Sequence, residues 1–414
     1  MKRIAIILSA LLACACASQP QVTKGLRHVN PAEVGMDARK LDQIDSVVNA
    51  NIEQGTVPGA VVAIVRDDKI AFLRAYGNKS VVPDTVAMTT ETMFDLASLS
   101  KCVGTTLSFM QLIEQGFVRL SDNVDRYIPG FAPWVNPKTG ESVDITIQDL
   151  LTHASGISAY ISVPPYLERY GQNSPDSLMS YIAREIPRHF EPGTDCIYSC
   201  LNFITLQNVL QRITGQRLCD YAQKNVFDVL GLEHTTYFPL FGAPQSNPRA
   251  AELAKLCAPT EVQEDGKPLV AEVHDPTARL VNGGNSGNAG VFSNAEDMAV
   301  IAAAILNGGE INGRRILGSE SVRMMMTIPK DNDPCVARAI GWDTYDMYPG
   351  TSGDIFPREH MIGHTGYTGT SMIIEPDTRT AVIILAHRVH PVDEGSNARM
   401  RATIANIAAA SIID

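Results

Sequence analysis

Ser98 stands three residues before Lys101 in the run Phe94-Asp95-Leu96-Ala97-Ser98-Leu99-Ser100-Lys101-Cys102. Residues three apart share one face of a helix, so this spacing aims a hydroxyl and an amine the same way. A serine hydroxyl is a poor nucleophile until a neighbouring base takes its proton. A lysine can be that base if burial or a nearby cation lowers its pKa from about 10.4. The residues around Ser98 read as the start of a helix, where unpaired N–H groups and the positive dipole end meet. Such N–H groups can hold an oxyanion. The pattern predicts acyl transfer, with Ser98 as nucleophile and Lys101 in its proton traffic.

A surface lysine one turn after a capping serine has the same spacing. The following residues argue against a surface helix. Val103, Leu107, Phe109, Met110, Leu112 and Ile113 are apolar on nearly every face, and a helix apolar all round is buried. Gly104 permits close approach, and Gln115-Gly116 supplies a C-terminal stop. A lysine at the start of a buried helix needs a chemical reason.

Two further stretches can complete a site. In Pro192-Gly193-Thr194-Asp195-Cys196-Ile197-Tyr198-Ser199-Cys200-Leu201-Asn202-Phe203, a tyrosine and a serine sit in a turn before a helix. Tyr198 beside two cations can ionise below its usual pKa of about 10 and act as a base. Its structural alternative is a buried phenol bonded to backbone. Gly363-His364-Thr365-Gly366-Tyr367-Thr368-Gly369 leads into the last hairpin. Its glycines let backbone approach a substrate, and His364 offers a polar group at a strand edge. The alternative is a glycine-rich turn with a solvated histidine.

The elements that must hold these stretches come from both ends of the chain. Residues 31–54 read as a helix, with Leu41, Ile44, Val48 and Ile52 on one face. Ala60 to Val65 and Ile70 to Ala75 are strands around the turn Arg66-Asp67-Asp68-Lys69, with Gly77 closing the hairpin. From about 97 to 290 strand signals are scarce. Thr146 to Leu151, 175–185 and 203–213 read as helices, and 238–288 as long surface loops. Ser371 to Glu375 and Ala381 to Ala386 form a second hairpin around Pro376-Asp377-Thr378-Arg379, and Asn397 to Ile412 a closing helix. These patterns predict an α+β fold: an antiparallel sheet flanked by helices, built from residues 26–96 and 290–414, with a mainly helical subdomain over 97–289.

Residues 1–17 read as a signal peptide: a basic start, then an apolar run from Ile4 to Ala13. Leu11-Leu12-Ala13-Cys14 resembles a lipoprotein cleavage box, which makes Cys14 the expected lipidation site. Ordinary cleavage after Ala15-Cys16-Ala17 is the alternative. Both predict export to the cell envelope or periplasm. A net charge of −11 argues against a nucleic-acid partner. Cys102, Cys196, Cys200, Cys219, Cys257 and Cys335 are scattered, with neither framework nor zinc-finger spacing. They read as mostly free thiols. A monomer is expected.

Taken together, Ser98-x-x-Lys101, the Tyr198-Ser199-x turn and His364-Thr365-Gly366 match three ordered motifs. They resemble those of the serine β-lactamase and penicillin-binding-protein superfamily. The branch of class C β-lactamases, D-stereospecific peptidases and β-lactamase-like esterases is the most similar. Asp149-Leu150-Leu151-Thr152-His153-Ala154-Ser155-Gly156-Ile157 and Ala289-Gly290-Val291-Phe292-Ser293 add to the resemblance, which spans about residues 30 to 412.

The resemblance implies a Ser98 acyl-enzyme, with Lys101 and Tyr198 sharing proton transfer. It implies an oxyanion hole from the backbone N–H groups of Ser98 and Tyr367, and substrate contacts from Cys200, His364, Thr365 and Gly366. It implies no metal and no cofactor. His153 lies outside the three motifs and is expected to be structural. Three positions depart from the pattern. Cys200 stands where Asn, or Asp in some esterase-like members, is usual, and a thiol lacks an amide's paired donor and acceptor. His364 replaces a lysine, giving up a fixed charge. Asn288 stands where relatives often carry histidine. The first two favour an esterase, amidase or D-peptidase over an efficient β-lactamase. A cell-wall-ligand or penicillin-binding protein with little turnover is the alternative from another class.

Overall fold

Residues 60–65 contain no polar side chain, so a strand there must be covered on both faces. The computed structural model describes residues 25–329, 336–344 and 352–413. In it β1 (Arg27–His28), β2 (Gly59–Arg66), β3 (Lys69–Ser80) and β4 (Val86–Ala87) come from the N-terminal part. The C-terminal part supplies β5 (Arg338–Ala339), β6 (Trp342–Thr344), β7 (Ile362–Thr365), β8 (Ser371–Glu375) and β9 (Thr380–Ala386). They form one nine-stranded sheet in the order β1-β3-β2-β9-β8-β7-β6-β5, with β4 against β3. β2 and β9 join the two halves of the chain, pairing Ala60 with Ala386 through Arg66 with Thr380.

Alternation along β2 sends Val61, Ala63 and Val65 into one core and Ala60, Val62 and Ile64 into the other. The second face is covered by α1 (Gln43–Glu53) and α5 (Ala398–Ala410). The first is covered by α4 (Ala295–Leu306), which packs on β2 and β9. Asn294 caps α4 by accepting the Asp297 N–H at 2.9 Å. Its near-continuous apolar run carries little helical periodicity, so sequence pattern alone does not announce it.

Between the halves, a π-helical turn over Lys101–Thr106 continues into α2 (Leu107–Glu114). Every residue of the π turn is buried, and such turns are frequent at functional sites. The Gly104 position is where the Tyr237 hydroxyl comes closest to the helix, as a Cβ there would collide with it. Behind the π turn and α2 stands α3 (Cys200–Thr214).

Two sequence expectations are corrected. The sheet is mixed, because β1 runs parallel to β3. Gly77 does not close the first hairpin; β3 runs on to Ser80, and Gly77 pairs with Gly59 at a close approach to Pro58. Cys102, Cys196, Cys200, Cys219 and Cys257 are free. Residues 1–17, with Cys14, and Cys335 lie outside the described residues.

Candidate active site

Ser98 sits on a turn held from three sides. Ala97 just before it has φ +46°, a left-handed value that costs a non-glycine residue about 1–3 kcal/mol. The surroundings impose it. Asp95 Oδ1 accepts the Ala97 N–H at 2.8 Å, and Asp95 Oδ2 accepts the His274 N–H at 2.7 Å. From the last hairpin, Thr368 Oγ1 donates to the Asp95 carbonyl at 2.8 Å and Thr370 Oγ1 to the Leu96 carbonyl at 3.0 Å. A Cβ on Gly366 would strike the Leu96 carbonyl. The third motif thus carries glycine where β7 closes on the Ser98 turn.

Lys101 is fully buried and donates three ways: to Ser98 Oγ at 3.0 Å, to the Asn288 carbonyl at 3.0 Å and to Cys200 Sγ at 3.6 Å. Three acceptors match the three donors of an ammonium group. The Tyr198 ring lies below the charge, with its centroid 4.9 Å from Nζ. Burial opposes this cation, yet the amine is held above its ordinary range, because negative charge on Cys200 or Tyr198 attracts the ammonium form and the Tyr198 hydroxyl bonds to it. The expectation of a depressed lysine is therefore corrected.

Tyr198 is half-buried, and loss of solvation pushes its phenol up to about 12, against the pull of the Lys101 cation. Its hydroxyl also interacts with the Ser98 side chain. His153 has the structural place expected of it. It is fully buried, its Nδ1 accepts the Ser199 N–H at 2.9 Å, and its ring lies 4.4 Å from the Tyr198 ring. Burial holds its imidazole well below the usual range. The second-motif turn is pinned by this neutral ring, and the Cys200 N–H adds a bond to the Ala159 carbonyl at 2.8 Å.

His364 on β7 is buried, its side chain 2% exposed. Its Nδ1 lies 2.8 Å from the Thr365 carbonyl, an acceptor, so Nδ1 carries the proton and Nε2 the lone pair. Nε2 faces the Tyr198 hydroxyl at 3.5 Å and Asp343 Oδ1 at 3.9 Å. Asp343 is in turn ion-paired with fully buried Arg338 at 2.5 Å. Strand register brings Arg338, Asp343 and His364 together: Arg338 pairs with Asp343 across β5–β6, and Asp343 with Gly363, next to His364, across β6–β7. Burial, helped by the Arg338 and Lys101 cations, pulls His364 down to about 4 against Asp343. It is neutral through the physiological range.

Two recesses open at Ser98. One, of about 640 Å³, is lined by Tyr160, Ile161, Cys200, Asn288 and Tyr367. The other, of about 330 Å³, is lined by Tyr198, Thr365, Gly366, Arg388 and Arg401. Ser98 and Tyr367 belong to both, and neither backbone N–H has a backbone acceptor among the described residues. Such N–H groups can stabilise a developing oxyanion. The arrangement offers a nucleophile, buried proton-transfer partners and space on either side of a scissile bond.

The family model described as Beta-lactamase matches residues 44–406. The chain belongs to the beta-lactamase family, whose members are serine hydrolases. Among its relatives is a protein of Escherichia coli (strain K12) named "Putative D-alanyl-D-alanine carboxypeptidase". It is 29% identical over 406 residues, covering 94% of this chain and 92% of that one. An N-acetylmuramyl-L-alanine amidase of Bacillus subtilis (strain 168) is 29% identical over 379 residues, covering 87% of this chain and 84% of the relative. The solved structure of EstCE1, titled a hydrolase with promiscuous acyltransferase activity, superposes with a TM-score of 0.70 at 21% identity. It covers 90% of this chain and 99% of EstCE1, and it shows the shared fold.

In this beta-lactamase family member the three motifs meet as the spacing predicts. Cys200 borders the larger recess, and Thr365 and Gly366 the smaller. His364 borders the smaller recess as well, with both of its ring nitrogens facing protein groups. Motif reading misses Arg338 and Asp343 and marks Asn288 only as a departure from the pattern. Asn288 acts through its carbonyl, which any residue type supplies. Arg338 and Asp343 bracket Ala339-Ile340-Gly341-Trp342, and two charges flanking an apolar strand segment are their only trace in the sequence.

Proposed function

We propose that this serine hydrolase acts through a Ser98 acyl-enzyme on small esters, amides or D-amino-acid peptides. The observation that carries the reading is the 3.0 Å contact between the Ser98 hydroxyl and a fully buried lysine, at the junction of two open recesses. Ser98 attacks the carbonyl, and the Ser98 and Tyr367 N–H groups receive the oxyanion. Lys101 holds a positive charge against the attacking oxygen, and Tyr198 carries the proton between nucleophile and leaving group. Water or another acceptor then releases the acyl group. A thiol at position 200 and an imidazole at 364 support esters and peptides over β-lactams.

A fluorophosphonate probe should label the wild type and not Ser98→Ala, and turnover of p-nitrophenyl esters should vanish in that variant. Retained turnover removes Ser98 from the mechanism. A permanent adduct without turnover favours the binding-protein alternative. A screen over esters, D-amino-acid peptides and β-lactams identifies the substrate class. Export with a lipid anchor on Cys14 is part of the proposal and rests on residues 1–17 alone. A mature chain beginning at Ser18 refutes the anchor.

A further inference from the structure

Neither partner nearest to Ser98 is a ready base in the resting site. Lys101 has the three acceptors of an ammonium ion, and the half-buried Tyr198 phenol is neutral. The acylation step still needs an acceptor with a free lone pair. One such atom touches the cluster: His364 Nε2, 3.5 Å from the Tyr198 hydroxyl, with its Nδ1–H committed to the Thr365 carbonyl at 2.8 Å.

Resting on the Ser98 reading above, we propose that His364 Nε2 is the terminal proton acceptor of acylation, reached through Tyr198, with Asp343 and Arg338 as its positioning pair. As the Ser98 Oγ–carbon bond forms and the carbonyl π pair moves to oxygen, the Ser98 proton passes to the Tyr198 oxygen. The Tyr198 proton passes to His364 Nε2 in the same step, so Tyr198 stays neutral and Lys101 stays a cation. Collapse of the intermediate reverses the flow. The bond to the leaving group breaks, Tyr198 gives that group its proton, and His364 returns one to Tyr198. Charge and protons balance without a phenolate.

The surroundings fit a transient imidazolium. Asp343 Oδ1 lies 3.9 Å from Nε2 and, beyond its ion pair with Arg338, accepts no hydrogen bond among the described residues. The groups facing His364 are Asp343 and Arg338 from β5 and β6, Tyr198 and the neutral His153 from the second-motif turn, and Lys101 from the π turn. Burial, helped by the two cations, keeps the imidazole neutral at rest, and the carboxylate takes its charge when it forms.

The test uses p-nitrophenyl ester kinetics after a pH jump from 7, read in the first seconds. His364→Gln and His364→Ala should each lower kcat/KM by about a hundredfold. Free imidazole should restore His364→Ala by tenfold or more, saturably, and should leave Lys101→Met unrescued. The low-pH limb of the wild type, near pH 4, should vanish in both histidine variants and move to lower pH in Asp343→Asn. A His364→Gln enzyme within threefold of wild type overturns the proposal. So does a loss in His364→Ala with the limb in place and no imidazole rescue. An unmoved limb in Asp343→Asn removes Asp343 and Arg338 from the relay. Ester turnover surviving in Ser98→Ala defeats the underlying reading, whereas its loss beside active His364 variants defeats the relay alone.

Discussion

Replacing Lys101 with methionine removes the charge and keeps most of the volume. A unit charge developing on Ser98 Oγ, 3.0 Å from Nζ, interacts with the ammonium by about 5 kcal/mol at an effective dielectric of about 20. Each 1.36 kcal/mol is a factor of ten, so acylation should slow by roughly 10³ to 10⁴. Stability should respond far less. The Asn288 carbonyl loses its Lys101 donor, a cost of about 1–3 kcal/mol for a buried acceptor. Against this, a fully buried cation no longer has to be desolvated. The net should fall within about 2 kcal/mol. Single-turnover acylation by a p-nitrophenyl ester measures the first effect and thermal melting the second. Folded Lys101→Met that acylates within tenfold of wild type would refute the charge argument and the Ser–Lys pairing with it.

Three further outcomes are expected. Acid should destabilise the fold early, because burial holds folded His364 near about 4 and His387 near about 3. The unfolded chain takes up those protons from about pH 6.5 downward, so stability is complete above that pH and falls below it. The loss is about 4 kcal/mol for the pair at pH 5, and equal urea midpoints at pH 7 and 5 would contradict it. Gly366→Ala should force β7 off the Leu96 carbonyl and lower kcat/KM by at least tenfold with a drop in Tm, an overpacking cost of about 1–3 kcal/mol; a variant with wild-type rates and Tm rules the close contact out. Cys200→Asn should raise any β-lactam hydrolysis more than ester hydrolysis, since an amide can bond a substrate amide that a simple ester lacks. Equal changes on both substrates would show that position 200 does not meet the acyl side chain.

The sequence by itself determined the pieces of chemistry whose geometry is local. Ser98 and Lys101 are one helical turn apart, so their 3.0 Å contact was legible in a three-residue spacing. The strands 59–66, 371–375 and 380–386 and the helix 398–410 follow from short-range pattern, and they told that the sheet is built from both ends. The second and third motifs were legible as residue types. What they do was not, because protonation depends on burial and on neighbours far away in the chain. His364 reads as a titrating surface group until 2% exposure and a neighbouring Arg338 make it neutral. Lys101 reads as a base until three acceptors from Ser98, Cys200 and Asn288 surround it. Arg338, Asp343 and the Asn288 carbonyl role carry no motif, and only the strand register of β5, β6 and β7 brings the first two beside His364. Tertiary structure decided which of these groups carry a charge, since a pKa is a property of the space around a group and not of its spacing along the chain.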